Sequence, residues 1–328
     1  MRVLVTGGAG YIGSHTAKAL AGAGYEPVVL DNLSTGHEAA VKWGPFVEGG
    51  LESAELISEV LAEYSVGAVM HFAASLLVGE SMKEPQKYFW NNAVNTLRLL
   101  SAMLAAGVKH IVFSSSAAVY GVPAQTPIPE DHPLAPINPY GETKVMMERA
   151  LYWYGVAYGF RSASLRYFNA SGADPGGELG EDHDPETHLI PLVIKAALGQ
   201  RPAVEVFGTD YPTPDGTAVR DYIHVTDLAE AHVLALKYLL EGGESLALNL
   251  GTGRGYSVRE VVAAVERANG GRTPPFRDAP RRSGDPAVLV AAPGRAQKLL
   301  AWRPRQSELD NIVQTAWKWH ARKAVVSE

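Results

Sequence analysis

The sequence predicts an α/β fold in which a doubly wound parallel sheet is joined to a smaller, interwoven C-terminal lobe. Three observations predict it: strand and helix signals alternate up to residue 170, a glycine-rich turn follows the first strand, and the pattern changes after Asn169. Such alternation is typical of a parallel sheet covered by helices on both faces. We therefore divide the chain into residues 1–170, with segments near 220–252 returning to the sheet, and a lobe of residues 171–328.

The glycine-rich turn is the first informative element. The apolar run Arg2–Thr6 predicts a buried parallel strand. Gly7, Gly10 and Gly13 follow directly, ahead of a helix predicted for residues 14–20. Glycines let the backbone turn tightly and approach a pyrophosphate, while the helix N-terminus attracts phosphate charge. The turn is therefore a candidate dinucleotide-binding loop.

The second predicted strand, Val28–Asp31, ends in an acidic residue. In a dinucleotide-binding fold, an acid at this place bonds the adenosine ribose hydroxyls and repels a 2′-phosphate. Asp31 therefore predicts NAD as the cofactor in preference to NADP.

Further elements alternate in the same way. We predict strands at 68–72, 110–114 and 162–167, helices at 84–106 and 140–158, and a proline-rich loop at 123–139. Ligands of parallel sheets lie beyond the carboxyl ends of the strands, so residues at those ends are expected to line one cleft. They are Asp31, Phe72, Ala73, Ser114, Ser115, Ser116, Tyr167, Phe168 and Asn169.

The C-terminal half has a different character. Residues 170–188 are rich in Gly, Asp, Glu and Pro without periodicity, which predicts a long functional loop. We expect helices at 189–198, 226–240 and 257–268, the last with a capping box of Ser257 and Glu260. Strands are predicted within 202–215 and at 220–225 and 246–251.

Composition excludes several classes of function. The 29 basic and 35 acidic residues give a net charge of −6, which predicts no nucleic-acid-binding surface. The chain has no cysteine and no apolar run of the ~18 residues that a membrane helix needs, and Met1 leads directly into a strand. We therefore expect a cytoplasmic protein without a membrane partner. We expect no metal site either, with His183 and His188 on a loop surface.

A tyrosine and a lysine provide candidate chemistry. Tyr140 and Lys144 are four residues apart on a predicted helix, and therefore lie on one face. A phenol has a pKa of about 10, and a nearby ammonium or a cationic nicotinamide favours its ionised form. Such a pair can take a proton from an alcohol while a cofactor takes the hydride. Without the glycine loop, two exposed helix residues would be the better interpretation.

Several longer stretches together resemble the UDP-glucose 4-epimerase family of the extended short-chain dehydrogenase/reductase superfamily, nearly from end to end. The glycine loop and Tyr-x-x-x-Lys are shared by the whole superfamily, whereas the stretches 114–121 and 210–225 are typical of the epimerases. The other similar stretches are 6–15, 30–32, 71–74, 78–81, 138–141, 165–169, 207–208, 249–253 and 281–285.

The resemblance implies NAD-dependent inversion at C4 of a UDP-hexose through a transient 4-keto sugar. Tyr140 would be the base, Lys144 would lower its pKa and bond the nicotinamide ribose, and Ser116 would hold the 4-oxygen. The implied cofactor-binding residues are Gly7, Gly10, Tyr11, Ile12, Gly13, Asp31, Asn32, Leu51, Phe72, Ala73, Ala74, Asn91, Ser114, Tyr140, Lys144 and Tyr167. The implied substrate-binding residues are Ser116, Tyr140, Asn169, Leu189, Phe207, Arg220, Tyr222, Arg282, Asp285 and Leu289.

Within the substrate set, the two arginines would bind the diphosphate, Asp285 the uridine ribose, and Phe207 the uracil region. Leu289 would stand beside the sugar's 2-position, which predicts partial acceptance of N-acetylated sugars. The commoner roles are a surface ion pair for each arginine, a turn for Asp285 and core packing for Leu289.

Three positions depart from the family pattern. Gly50 replaces an Asp that contacts adenine, Leu76 replaces a Lys near the phosphates, and Ala118 replaces a Thr that assists substrate binding. These departures concern affinity and sugar preference.

Four other functions were weighed. A nucleotide-sugar 4,6-dehydratase would need an Asp-Glu pair where Ala117 and Ala118 stand, and an ordinary dehydrogenase would release its cofactor in each cycle. A UDP-N-acetylglucosamine 4-epimerase and a non-catalytic dinucleotide sensor remain alternatives, although sensors typically lose the Tyr or the Lys. A homodimer through the helices at 88–106 and 140–158 is also expected from the resemblance.

Overall fold

The computed structural model describes residues 1–282 and 284–326, with side chains up to residue 322. Ser283, in one of the similar stretches, lies outside the described residues. The strands are β1 (Arg2–Thr6), β2 (Glu26–Asp31), β3 (Phe46–Glu48), β4 (Ala68–His71), β5 (His110–Ser116), β6 (Arg161–Tyr167), β7 (Asn169–Ser171), β8 (Val204–Phe207), β9 (Val219–Arg220), β10 (Tyr222–His224), β11 (Leu246–Leu250), β12 (Tyr256–Ser257), β13 (Phe276–Ala279) and β14 (Val288–Leu289). The α-helices are α1 (Tyr11–Gly22), α2 (Ala54–Glu63), α3 (Val78–Ser81), α4 (Pro85–Tyr88), α5 (Asn95–Ala105), α6 (Pro139–Tyr158), α7 (Leu189–Ala197), α8 (Val225–Leu240), α9 (Val258–Ala268), α10 (Gly294–Leu299) and α11 (Leu309–Val326).

The central sheet has seven parallel strands in the order β11-β6-β5-β4-β1-β2-β3. Side chains of a strand alternate between the two faces of a sheet. Val3 and Val5 accordingly pack with α1 and α8 on one face, while Leu4 packs with α2, α5 and α6 on the other. The predicted doubly wound fold is confirmed.

The C-terminal residues form a second core and also return to the sheet. Residues of α7, α9 and α11 form a separate buried cluster that includes Val193, Val265 and Ile312. Trp302, in contrast, is fully buried in the cluster on the sheet face that α8 covers. The division at residue 170 stays a prediction.

Two predicted elements differ from the observed ones. The helix predicted for 84–106 contains a π-helical stretch, Phe89–Val94, in which the amides of Asn91 and Asn92 bond the backbone and hydroxyl of Ser75. The strand predicted for 220–225 is divided into β9 and β10. At the division lies buried Asp221, whose carboxylate accepts hydrogen bonds from three backbone N–H groups at Thr252, Gly253 and Ala291.

No helix among the described residues is long and apolar enough to cross a membrane.

A buried ion pair supports the carboxyl end of β5. Glu148 of α6 and Arg166 of β6 form two hydrogen bonds, of 2.9 and 2.5 Å, and both side chains are less than a tenth exposed. Ser115 donates to the same Glu148 carboxylate at 2.6 Å. The pair therefore fixes α6 against the strand end from which Ser114 and Ser116 extend.

Glu148→Gln is predicted to lower the free energy of unfolding by about 3–5 kcal/mol, because it leaves the Arg166 guanidinium buried without its counter-charge. Glu205→Gln is the matched control, since Glu205 pairs with Arg277 on the exposed surface. It should change stability by less than about 1 kcal/mol. Urea unfolding of both variants measures the difference, and equal losses would contradict a special role for the buried pair.

Candidate active site

The loop between β1 and α1 forms a backbone cradle. Gly7 has φ of +71°, and a Cβ added there would lie 2.6 Å from the backbone nitrogen of Ala73. A Cβ added to Gly13 would collide with the carbonyl oxygen of Gly7. The loop and the segment after β4 therefore pack backbone to backbone, and the first N–H groups of α1 have no intrahelical partner, as at the N-terminus of any α-helix. This arrangement fits a pyrophosphate.

Asp31 lies at the end of β2 and is largely buried. Its two carboxylate oxygens accept hydrogen bonds from the backbone N–H groups of Ala9 and Leu33, each at 2.9 Å. Burial raises the pKa of Asp31, and the two hydrogen bonds oppose that rise. The acid thus holds the glycine loop in place, and its predicted bond to a ribose stays a prediction.

The three predicted catalytic residues converge at the carboxyl end of β5. Asn138 caps α6 by accepting from the Gly141 N–H at 2.8 Å, which places Tyr140 in the first turn of the helix. The side chain of Tyr140 is partly buried, and its phenol lies close to Ser116, the last residue of β5. Lys144 Nζ lies 5.7 Å from the centre of the Tyr140 ring and donates to the Ser114 carbonyl at 2.7 Å.

Burial is the largest influence on the pKa values of Tyr140 and Lys144. Burial raises the pKa of Tyr140, and the neighbouring Ser116 hydroxyl opposes the rise. Burial also lowers the pKa of Lys144 to about 7, although the negative charge of Glu148 acts to raise it. The depression of the Tyr140 pKa by Lys144 stays a prediction.

Further predicted cofactor residues lie at or just after the carboxyl ends of β4, β5 and β6. The hydroxyls of Tyr167 and Ser114 hydrogen-bond to each other across β6 and β5. Backbone N–H groups of Phe72 and Ala73 both donate to the Thr6 carbonyl, at 2.9 and 3.1 Å.

Other residues of that set make local contacts. Tyr11 donates to the Gly172 carbonyl at 2.6 Å, and Asn32 accepts from the Ser34 N–H at 3.1 Å. Leu51 is buried in the core beside α2, and Ile12 packs on the cluster covered by α8. Gly10, which precedes α1, donates its N–H to the Gly7 carbonyl at 3.2 Å. Ala74 follows Ala73 in the segment that packs on Gly7.

The predicted substrate residues form two groups. In the first, Arg220 pairs with Asp285, and the Arg282 guanidinium lies 4.0 Å from the centre of the Phe207 ring. Asn169 Nδ2 donates to the Asp221 carbonyl at 3.1 Å. The structure thus places Arg220 of β9 against Asp285, and Arg282 against the ring of Phe207 at the end of β8.

The second group is apolar. Tyr222 and Leu189 pack in the C-terminal core. Leu289 packs against Val119, Tyr120 and their neighbours beside the proline-rich loop, so core packing is part of its role.

Comparison with known proteins identifies the family. A family model described as "NAD dependent epimerase/dehydratase family" matches residues 3–251. The chain belongs to this family.

Relatives of this family are similar over almost the full chain. A UDP-glucose 4-epimerase of Rhizobium meliloti is 55% identical, with 98% of this chain and 97% of the relative covered. The crystal structure of a UDP-glucose 4-epimerase from Brucella ovis in complex with NAD is also 55% identical, with a TM-score of 0.95 and 97% of each chain covered. A UDP-glucose 4-epimerase structure from Stenotrophomonas maltophila, with bound NAD and formylated UDP-arabinopyranose, is 42% identical, with a TM-score of 0.96 and 99% of each chain covered.

Sequence reasoning missed three acidic residues that shape the site. The Glu52 carboxylate lies where a side chain on Gly50 would begin, so a carboxylate is present near the position at which the resemblance expected an Asp. The carboxylates of Glu148 and Asp221 accept hydrogen bonds that fix the ends of neighbouring strands. A buried acid in a helix or between strands has no sequence signal, because its partners lie 18 or more residues away.

Gly7→Ala is predicted to remove most of the NAD that a member of this family retains, because the added methyl group collides with backbone that cannot yield. Gly24→Ala is the matched control: Gly24 has φ of +83°, but a Cβ there meets open space. Both variants therefore carry the left-handed backbone penalty of roughly 1 kcal/mol, and only Gly7→Ala adds the collision. Dinucleotide released by acid denaturation, measured per chain, checks this. Equal occupancy in the two variants would contradict the cradle.

Proposed function

We propose that this chain is a UDP-glucose 4-epimerase, an isomerase that interconverts UDP-galactose and UDP-glucose with NAD held throughout the cycle. The observation that carries the proposal is the convergence of Tyr140, Ser116 and Lys144 beside the glycine cradle. NAD, when bound, supplies a hydride acceptor that later returns the hydride. No net oxidation results, so the reaction needs no second redox partner.

The chain's own residues supply the proton chemistry. We propose that Tyr140 Oη takes the proton of the sugar 4-hydroxyl as hydride leaves C4, with Ser116 holding the 4-oxygen and relaying the proton. Because its pKa is about 7, Lys144 can gain or lose its proton near neutral pH. When it is protonated, its charge would favour the phenolate form of Tyr140, which is the form that acts as the base. Tyr140 returns its proton after the 4-keto sugar has presented its other face.

The UDP moiety has a matching set of contacts. We propose that Arg220 and Arg282 bind the diphosphate, since a planar guanidinium fork suits phosphate oxygens. Asp285, now paired with Arg220, would accept from the uridine ribose, and Phe207, stacked under Arg282, would border the uracil. A tethered UDP group would let the sugar rotate without leaving the cleft.

The direct test is to incubate purified protein with UDP-galactose, without added NAD, and to follow UDP-glucose. We expect conversion to equilibrium and dinucleotide bound to the protein. A requirement for free NAD in amounts equal to product would indicate an ordinary dehydrogenase. Bound dinucleotide without conversion of UDP-galactose would indicate a sensor, or an enzyme for another sugar.

Tyr140→Phe is predicted to lower kcat by roughly 10²–10⁴-fold while NAD and UDP-sugar still bind, because phenylalanine keeps the ring and removes the ionisable oxygen. Tyr154→Phe is the control on the same helix, since the Tyr154 ring packs against Phe160 in the core away from Ser116. It should retain near-normal kcat. Steady-state kinetics and equilibrium binding separate the two effects, and near-normal kcat in Tyr140→Phe would assign the proton transfer to another group.

Sugar preference is expected to depend partly on Leu289. Leucine is shorter than the tyrosine that excludes the acetyl group in the family, so we predict some activity on UDP-N-acetylgalactosamine. Leu289→Tyr should raise the activation free energy for that sugar by about 1–3 kcal/mol, which lowers its kcat/KM about 10–200-fold. The kcat/KM for UDP-galactose should change less. Equal rejection of the acetylated sugar by parent and variant would leave Leu289 with core packing alone.

We further propose a cytoplasmic homodimer. The outer face of α6 exposes large apolar side chains at Tyr152, Trp153 and Val156, each more than 60% exposed. Trp90 and Leu97, from the π-helical stretch and α5, are also exposed, and α5 and α6 are in contact. Adjacent apolar faces of this kind are typical of an isologous interface made by two helices from each subunit.

Trp153→Asp is predicted to convert the dimer to monomers, because a carboxylate would be buried without a partner at the centre of the interface. Phe276→Asp, at an exposed aromatic residue on β13, is the control and should leave the mass unchanged. Light scattering after gel filtration gives the mass of each variant. A monomeric parent protein would contradict the proposal directly.

A further inference from the structure

The loop between β7 and α7 brings two histidines and two glutamates together. They are Glu181, His183, Glu186 and His188, and one donor atom from each lies within 4.8 Å of all the others. His188 Nδ1 lies 2.7 Å from Glu181 Oε1 and 3.0 Å from Glu186 Oε1. His183 Nδ1 lies 3.1 Å from Glu181 Oε1 and 4.0 Å from Glu186 Oε2. The sequence predicts a loop surface for both histidines and no metal site, so only the folded structure indicates this convergence.

The burial of the two carboxylates is the second observation. The side chains of Glu181 and Glu186 are each only 3% exposed. Glu186 Oε1 is satisfied by the backbone N–H groups of Thr187 and His188, at 2.7 and 2.8 Å. Glu186 Oε2, in contrast, is buried without a hydrogen-bond partner among the described residues. A buried carboxylate oxygen without a partner is costly, and a bound cation is one of the few ways to satisfy it.

We propose that Glu181, His183, Glu186 and His188 bind a divalent transition-metal ion, with Zn²⁺ as the best fit. Two imidazole nitrogens disfavour Mg²⁺ and Ca²⁺, which prefer oxygen ligands, whereas zinc accepts imidazole and carboxylate together. Zinc–ligand bonds of about 2.0–2.1 Å at tetrahedral angles place ligand atoms about 3.3 Å apart. The distances of 2.7 to 4.0 Å within the cluster are centred near that value. Two carboxylates also balance the charge of a divalent ion.

The position of the site indicates a structural role. The Trp319 indole of α11 donates to the Glu181 carbonyl at 3.0 Å, and the His183 ring meets the Tyr11 ring edge-on at 6.1 Å. Tyr11 begins the helix of the glycine loop, and α7 begins directly after His188. A metal ion here would join the cofactor loop to the C-terminal core. His183 also lines a cavity of about 460 Å³ between these parts, which provides a path of entry.

The test uses untagged full-length protein that has been treated with chelator and gel-filtered. We expect added Zn²⁺ to bind at one ion per chain, measured by elemental analysis, and to raise Tm by about 3 °C or more at saturating metal. His188→Gln and Glu186→Gln should weaken binding by more than the roughly 10–100-fold that loss of an outer hydrogen bond causes. His37→Gln, at an exposed histidine that bonds the neighbouring Asp182 carbonyl, is the control and should bind zinc like the parent.

Two results would overturn the proposal. One is zinc binding by the parent that is no stronger than that of Glu186→Gln, in which case the cluster is an ion-pair network closed by a proton on His188. The other needs no variant: Co²⁺ bound to the parent should show the intense visible absorption of four-coordinate cobalt. Only the faint bands of octahedral cobalt would show that the four side chains do not form the site.

Discussion

The arrangement of the active site depends on one buried ammonium group. Lys144 is 3% exposed and has its Nζ against the Ser114 carbonyl, the Phe113 ring and the Tyr140 ring. A charge so placed costs several kcal/mol unless neighbouring dipoles and charges stabilise it, and burial accordingly lowers its pKa to about 7. The ammonium links helix α6 to the end of strand β5, and thereby sets the distance between Tyr140 and Ser116.

A buried ion pair next to Lys144 stabilises that arrangement. The Glu148–Arg166 pair lies one helical turn beyond Lys144 and binds Ser115 between the two serines of the site. Glu148 is also the charge that opposes the fall in the Lys144 pKa. The stability of the fold and the proposed proton chemistry of Lys144 therefore both depend on the Glu148 carboxylate. A shift of the end of β5 would disturb both.

The sequence predicted the parts of the fold that local patterns determine. The glycine loop, the acid at the end of β2 and the strand ends at 114–116 and 167–169 all lie where alternation and turn chemistry placed them. Helix α2 was missed although Ser53 caps it and Ile57, Val60 and Leu61 follow at helical spacing. Its ten residues lie between two short strands, and we had assigned no element there.

Long-range features of the site had no such signal. The pairing of Arg220 with Asp285 joins residues that are 65 positions apart through the folded chain, not through spacing in sequence. The pKa values of Tyr140 and Lys144 likewise depend on how deeply the fold buries them. The predicted effect of Lys144 on the Tyr140 pKa rests on their spacing on the helix, and desolvation acts on both groups in addition.

In the proposed reaction, hydride leaves C4 of the sugar and returns to the same molecule while Tyr140 takes up and returns the proton. The most direct measurement is to convert UDP-galactose that carries deuterium at C4, in ordinary water, and to analyse the UDP-glucose by mass spectrometry and NMR. We expect deuterium to stay at C4 of the product through the first turnovers. Loss of deuterium to solvent would contradict it, because C4 would then exchange as a proton.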